Sequence, residues 1–225
     1  MNEWTLGDII LKRLRERFGK ISSGEFVAKD IAESYKDPFK IIVGVIISQN
    51  TIESNTFKAY NELERRIGVE VEKLANADIK DIEESIKVAG LQDSKARAIK
   101  TLAERIKNEL NGDLSNILKD YNKARNWLTS IPGIGVKTAD VLLANMGASV
   151  LPVDTHIKRI AIRLGLAEKK SYEHIRKNLE RIFRPSIRLE AHLLLIKLGR
   201  EICKARNPQC KSCPLRDICK HPQVS

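Results

Sequence analysis

A chain of 225 residues, 42% of them hydrophobic, is long enough for one large domain or two modest ones with real cores, so composition places it among globular proteins. No apolar stretch approaches the length that spans a bilayer, and the start, MNEWTLGDII, lacks the basic-then-apolar layout of a secretory signal; a soluble, cytoplasmic protein is expected. The net charge of +11 is uneven: basic and acidic residues number 6 and 4 in residues 1–29, 17 and 18 in 30–149, and 17 and 7 in 150–225.

That last third reads most simply as a solvated basic face. Its field nevertheless draws polyanions by releasing their counterions, which makes nucleic acid the natural partner. A membrane surface is a poorer match, because residues 150–225 offer only Tyr172 and Phe183 as the aromatic side of an amphipathic helix.

In chain order, DIILKRLRERF (8–18) has a helical period of apolar residues. FKIIVGVII (39–47) is rich in β-branched residues and favours a strand on propensity. No second strand candidate exists to pair with it, so it is assigned to a fully buried central helix. In SKARAIKTLAERIKNEL (94–110), Ile99, Leu102, Ala103, Ile106 and Leu110 fall at helical intervals, with Ser94 as the expected N-cap and Gly112 as the stop.

LTSIPGIGVKTAD (128–140) places Gly133 and Gly135 between a helix ending near Ser130 and one starting near Val136. Both glycines are expected to use positive φ for a tight turn, giving a hairpin of two helices. The unpaired N–H groups that open the second helix then face outward and suit a phosphate. This helix-hairpin-helix pattern reports nonspecific DNA binding. Lys137 on its plain reading is a phosphate contact. The sharper reading makes it a nucleophile: beside the positive end of a helix, and partly desolvated, an ammonium is disfavoured and sheds its proton, and the free amine can attack a sugar carbon. Schiff-base chemistry of this kind needs a carboxylate to stabilise a cationic sugar and carry protons.

LPVDTHIKRI (151–160) supplies a candidate, with Asp154 placed to cap a helix beginning at Thr155. Capping is the ordinary role of an isolated Asp at such a position. Lying 17 residues after Lys137, Asp154 is also the candidate to meet that lysine across a domain boundary near residue 150, where the charge changes. Helical periods return in THIKRIAIRLGL and SIRLEAHLLLIKLGREI. His156, His192, Trp4 and Trp127 are read as packing or hydrogen-bonding residues.

All four cysteines lie in CKARNPQCKSCPLRDIC: Cys203, Cys210, Cys213 and Cys219, separated by six, two and five residues. Paired disulfides suit a small secreted scaffold rather than a chain of this kind. Four thiolates converging on one point suit a metal, and spacing alone admits tetrahedral zinc and an iron–sulfur cubane equally. Such a closed site is structural, and it would stiffen a loop carrying Lys204 and Arg206 for phosphate contact.

Together, IPGIGVKTAD, VDTHIKRI and the cysteine spacing resemble the endonuclease III family of helix-hairpin-helix DNA glycosylases. GLQDSKARAI is similar to the family's helix and turn at the DNA minor groove, and IISQNT to its segment that enters the duplex. The resemblance covers about residues 8–219. It implies an all-α fold of two helical domains with a DNA-binding cleft between them. Residues 30–149 would form a six-helix barrel with the hairpin, and residues 1–29 with 150–225 a domain whose Cys203, Cys210, Cys213 and Cys219 hold a [4Fe-4S] cluster.

The same resemblance implies a monomeric, bifunctional DNA glycosylase/AP lyase acting on double-stranded DNA with damaged bases or abasic sites, nucleoid-associated in a prokaryote. Gln49 looks like the residue that fills the space of a flipped nucleotide, and Leu91 like the wedge. Gly133, Gly135, Lys204 and Arg206 would contact the backbone. Lys137 would attack C1′ and expel an oxidised pyrimidine, with Asp154 as electrostatic partner and proton shuttle. Gln92 stands where bacterial relatives commonly carry an aromatic, and IISQNT is one residue shorter than their version, which leaves the lesion open. A thymine or uracil mismatch glycosylase of the same superfamily is the alternative, although those typically lack the hairpin lysine. A non-catalytic DNA-binding module is the alternative from another class.

Overall fold

The computed structural model describes residues 6–221, so Trp4 lies outside the described residues. Among these residues the chain is helical without strands: α1 (Leu6–Phe18), α2 (Val27–Tyr35), α3 (Pro38–Ile47), α4 (Glu53–Arg66), α5 (Val71–Asn76), α6 (Ile79–Ile86) and α7 (Gln92–Glu109). It continues through α8 (Ser115–Leu118), α9 (Tyr121–Thr129), α10 (Val136–Asn145), α11 (Thr155–Leu164), α12 (Tyr172–Ile182) and α13 (Arg188–Glu201). No helix among the described residues is long and apolar enough to cross a membrane. Two compact units result, one from Ser23–Ala148 and one from Met1–Ser22 with Ser149–Ser225.

In the first unit α3 is the buried axis, and each of its ten residues except Lys40 is buried. The β-branched stretch is therefore helical, as the lack of a pairing strand demanded. A strong start helps: Pro38 occupies the first turn, and Asp37 caps it by accepting hydrogen bonds from Phe39 N–H at 2.8 Å and Lys40 N–H at 3.3 Å. Helices α2, α4, α7 and α10 pack around it. The expected N-cap at Ser94 is not observed. Helix α7 begins at Gln92 with Leu91 as its cap residue at φ 52°, and the Ser94 hydroxyl donates back to the Leu91 carbonyl at 3.1 Å. The signal at Ser94 was overridden because the helix starts three residues earlier, out of a turn with no capping side chain. Helix α7 does stop where Gly112 suggested: the Gly112 N–H reaches back to Ile106 O at 3.0 Å, closing the last turn.

In the second unit α13 packs against α1 and α11. The apolar faces of α1 (Ile10, Leu11, Leu14) and α11 (Ile157, Ile160, Ala161, Leu164) form its core with Leu194, Leu195 and Leu198 of α13. His192 is 3% exposed and its Nδ1 meets Pro152 O at 2.9 Å, a satisfied core histidine. On the outside, Arg13 pairs with Asp217 and Arg15 with Glu190, ties from α1 to distant parts of the chain.

Candidate functional site

Ile131, Pro132, Gly133 and Ile134 make a four-residue turn closed by Ile134 N–H to Ile131 O at 3.0 Å. Proline second and glycine third, with Gly133 at φ 88°, is the signature of a type II turn. Ile131 and Ile134 anchor it in the core at 1% and 3% exposure, and α9 leads in through its C-cap Ser130. Gly133 cannot carry a side chain for a second reason: a Cβ there would lie 2.8 Å from the Ala98 Cβ.

Gly135 differs from expectation. Its φ of −85° is ordinary extended backbone, so no positive φ is needed, and a Cβ there would meet no atom within 4 Å. It is the N-cap of α10 and has no side chain to cap with, so its own residue leaves the first-turn N–H groups of α10 uncovered. Lys137, in that first turn, is half-buried, and Thr138 beside it is buried.

Gln49 and Leu91 both reach this unit's surface from irregular turns. The Gln49 side-chain amide donates to Gly133 O and to Thr138 Oγ1, each at 3.1 Å, so it is moored to the hairpin. Asn50 next to it has φ 53°. Leu91 is 56% exposed at φ 52°, a conformation costly for a residue with a branched side chain. Between the two turns lies a residue that sequence reasoning passed over. Lys95 is 2% exposed, and its Nζ donates to Ile47 O at 2.8 Å and Ala89 O at 3.0 Å. Burial pushes its ammonium down to about 8. The available signal was its register: Lys95 falls in line with Ile99, Leu102 and Ile106 on the apolar face of α7.

In the other unit Asp154 is the N-cap of α11, with Oδ1 accepting from Ile157 N–H at 2.8 Å. His156 Nδ1 meets an Arg159 guanidinium nitrogen at 3.1 Å and is occupied in packing against Gly199.

The four cysteine thiols line one cavity with Leu164, Leu198, Ile202 and Leu215. Two arginines of α11 fix its first wall. Arg159 donates to Cys203 O at 2.8 Å and Gly199 O at 2.9 Å; Arg163 donates to Lys204 O at 2.8 Å and Ala205 O at 3.2 Å, and one of its nitrogens lies 3.4 Å from Cys203 Sγ. Neither arginine was singled out from sequence; their four-residue spacing on one face of α11 was the legible trace. Lys204 and Arg206 are exposed on the loop so braced. Burial raises the Cys213 thiol, and Cys203, Cys219 and Cys210 push it the same way.

Residues 43–185 match the HhH-GPD superfamily of base excision DNA repair proteins, and residues 203–219 match the iron-sulfur binding domain of endonuclease III. Endonuclease III from Sulfolobus acidocaldarius is 41% identical over 212 residues, 93% of each chain. The chain belongs to the endonuclease III family. Two solved structures of endonuclease III on DNA share the fold at a TM-score of 0.79: a non-covalent complex, 26% identical over 95% of this chain and 93% of that one. The other is a trapped covalent intermediate, 27% identical over 94% and 93%.

As an endonuclease III family member the chain is a base-excision-repair DNA glycosylase/lyase, and its cofactor is a [4Fe-4S] cluster. The donor set fits that group. All four cysteines line one apolar-walled cavity, and iron bound there would supply the positive charge that compensates four thiolates.

Proposed function

We propose that this endonuclease III family protein is a bifunctional glycosylase/AP lyase for oxidised pyrimidines in double-stranded DNA, with Lys137 as nucleophile. The observation that carries this reading is the hairpin itself: an open first turn at Gly135, with a half-buried lysine inside that turn. A phosphate seated on the α10 N–H groups brings the sugar backbone to Lys137 without a side chain intervening. Extruding the nucleotide costs a few kcal/mol of stacking and is cheapest for a poorly paired lesion. Gln49 then fills the vacated space and Leu91 wedges the duplex.

The amine of Lys137 bonds to C1′ as the C1′–N glycosidic bond breaks and the base leaves with that electron pair. Opening of the sugar ring gives the Schiff base, and loss of a C2′ proton with departure of the 3′ phosphate cuts the strand by β-elimination. Asp154 serves as the electrostatic partner of the cationic sugar and carries the protons. Gly133, Gly135, Lys204 and Arg206 contact the DNA backbone. The unit of residues 23–148 forms the barrel domain with the hairpin. The other unit forms the cluster domain, in which Cys203, Cys210, Cys213 and Cys219 ligate iron. The protein acts as a monomer in the cytoplasm, associated with the nucleoid in a prokaryote.

Borohydride should fix the wild-type protein covalently to DNA holding an abasic site, and Lys137→Gln should abolish the adduct while leaving DNA binding in place. A Lys137→Gln protein that still traps would overturn the assignment.

A further inference from the structure

We propose that Lys95 is a positioning residue for base excision: its buried ammonium ties the end of α3, which leads into Gln49, to the turn that presents Leu91, and so presets the two side chains that probe the duplex. The inference rests on the reading of Gln49 and Leu91 given above.

The geometry is specific. Ile47 is the last residue of α3 and lies two residues before Gln49; Ala89 ends the short 3-10 turn Lys87–Ala89 and lies two residues before Leu91. One Nζ bonds both carbonyls, at 2.8 and 3.0 Å. Each is an orphan carbonyl at the negative end of a helical segment, where a cation is favoured. Both turns hold a non-glycine residue in the left-handed region, Asn50 at φ 53° and Leu91 at φ 52°, and such residues persist where the surroundings over-determine them. Gln49 has a further mooring at Gly133 O and Thr138 Oγ1, so the α3 end, the Leu91 turn and the hairpin are linked in one chain of hydrogen bonds.

A lysine here satisfies two carbonyls at the cost of desolvating its charge, and burial lowers its proton affinity. An apolar side chain at the same place on α7 would avoid that desolvation and leave both carbonyls unpaired. What an apolar residue cannot do is hold two turns at a fixed separation.

The test separates extrusion from chemistry. Single-turnover excision of an oxidised pyrimidine from a duplex is compared with borohydride trapping on a single-stranded abasic oligonucleotide, which has no stack to probe. The proteins are wild type, Lys95→Met and Lys95→Gln, well below their melting temperatures. Excision from the duplex should fall by about 10- to 100-fold, the penalty of a misplacement near 1 Å, while single-strand trapping keeps the wild-type rate. In a Gln49→Ala, Leu91→Ala background Lys95→Met should add little, because the residues act through one another. Equal losses on both substrates, no loss on either, or failure of both Lys95 variants to fold would each overturn the proposal and leave Lys95 a stabilising cap. Failure of the underlying reading looks different: wild type would not trap at all, or Gln49→Ala and Leu91→Ala would leave duplex excision untouched.

Discussion

Gly133 and Gly135 are two residues apart in one motif and answer to different constraints. Gly133 serves the fold: its positive φ closes the turn, and Ala98 leaves no room for a methyl group. Gly135 has ordinary backbone and empty space where a side chain would go, so neither its backbone nor its packing requires a glycine. Gly133→Ala should therefore cost about 1–3 kcal/mol of stability, visible as a lower melting temperature. Gly135→Ala should melt like wild type and bind abasic-site DNA more weakly. Equal destabilisation by the two substitutions would show that the open face of Gly135 is misread. Sequence treated both as flexible turn residues because glycine alone does not tell a forced φ from a forced vacancy.

At the scale of the element, the helix caps decide what each terminus can do. Helix α11 is capped by a carboxylate and α10 has no side-chain cap, so one start is partly satisfied by its own N-cap residue and the other is not. Asp154 holds its cap through one oxygen, so its capping role and its proposed catalytic role have separate tests. Asp154→Ala should lose about 1 kcal/mol with the Ile157 N–H bond. Asp154→Asn keeps an acceptor for that N–H, so its melting temperature should stay near wild type while strand cleavage falls by about 10²- to 10⁴-fold, the range of a lost general acid–base. An asparagine variant with undiminished cleavage would reduce Asp154 to a cap. The helical state of α3 belongs to this scale too. Its residues favour strands individually, and the element is a helix because Asp37 and Pro38 start it and helices on several sides bury it.

For the whole molecule the charge distribution governs encounter with DNA. The excess of basic residues in 150–225 includes Lys204 and Arg206, both exposed on a loop that Arg163 holds by its carbonyls. A Lys204→Ala, Arg206→Ala protein should bind DNA more weakly across all sequences, and the slope of log K against log salt should become shallower by about 2. An unchanged slope would remove both residues from the interface. Since Arg159 and Arg163 hold that loop at Cys203, Lys204 and Ala205, the cluster cavity and the basic loop share one scaffold.

Sequence by itself determined the features that neighbours in the chain dictate. The hairpin turn follows from Pro132 and Gly133, the start of α11 from Asp154, the buried α3 from an apolar run without a strand partner, and the cofactor loop from four cysteines within 17 residues. Each depends on dihedral preferences or hydrogen bonds that span a few residues. Only tertiary structure decided that Lys95 bridges Ile47 and Ala89, that Gln49 is moored to a hairpin 84 residues away, and that Arg163 reaches Cys203 across 40. Nothing local marks those pairs, because a buried carbonyl is recognised by whichever donor the packing of helices delivers to it.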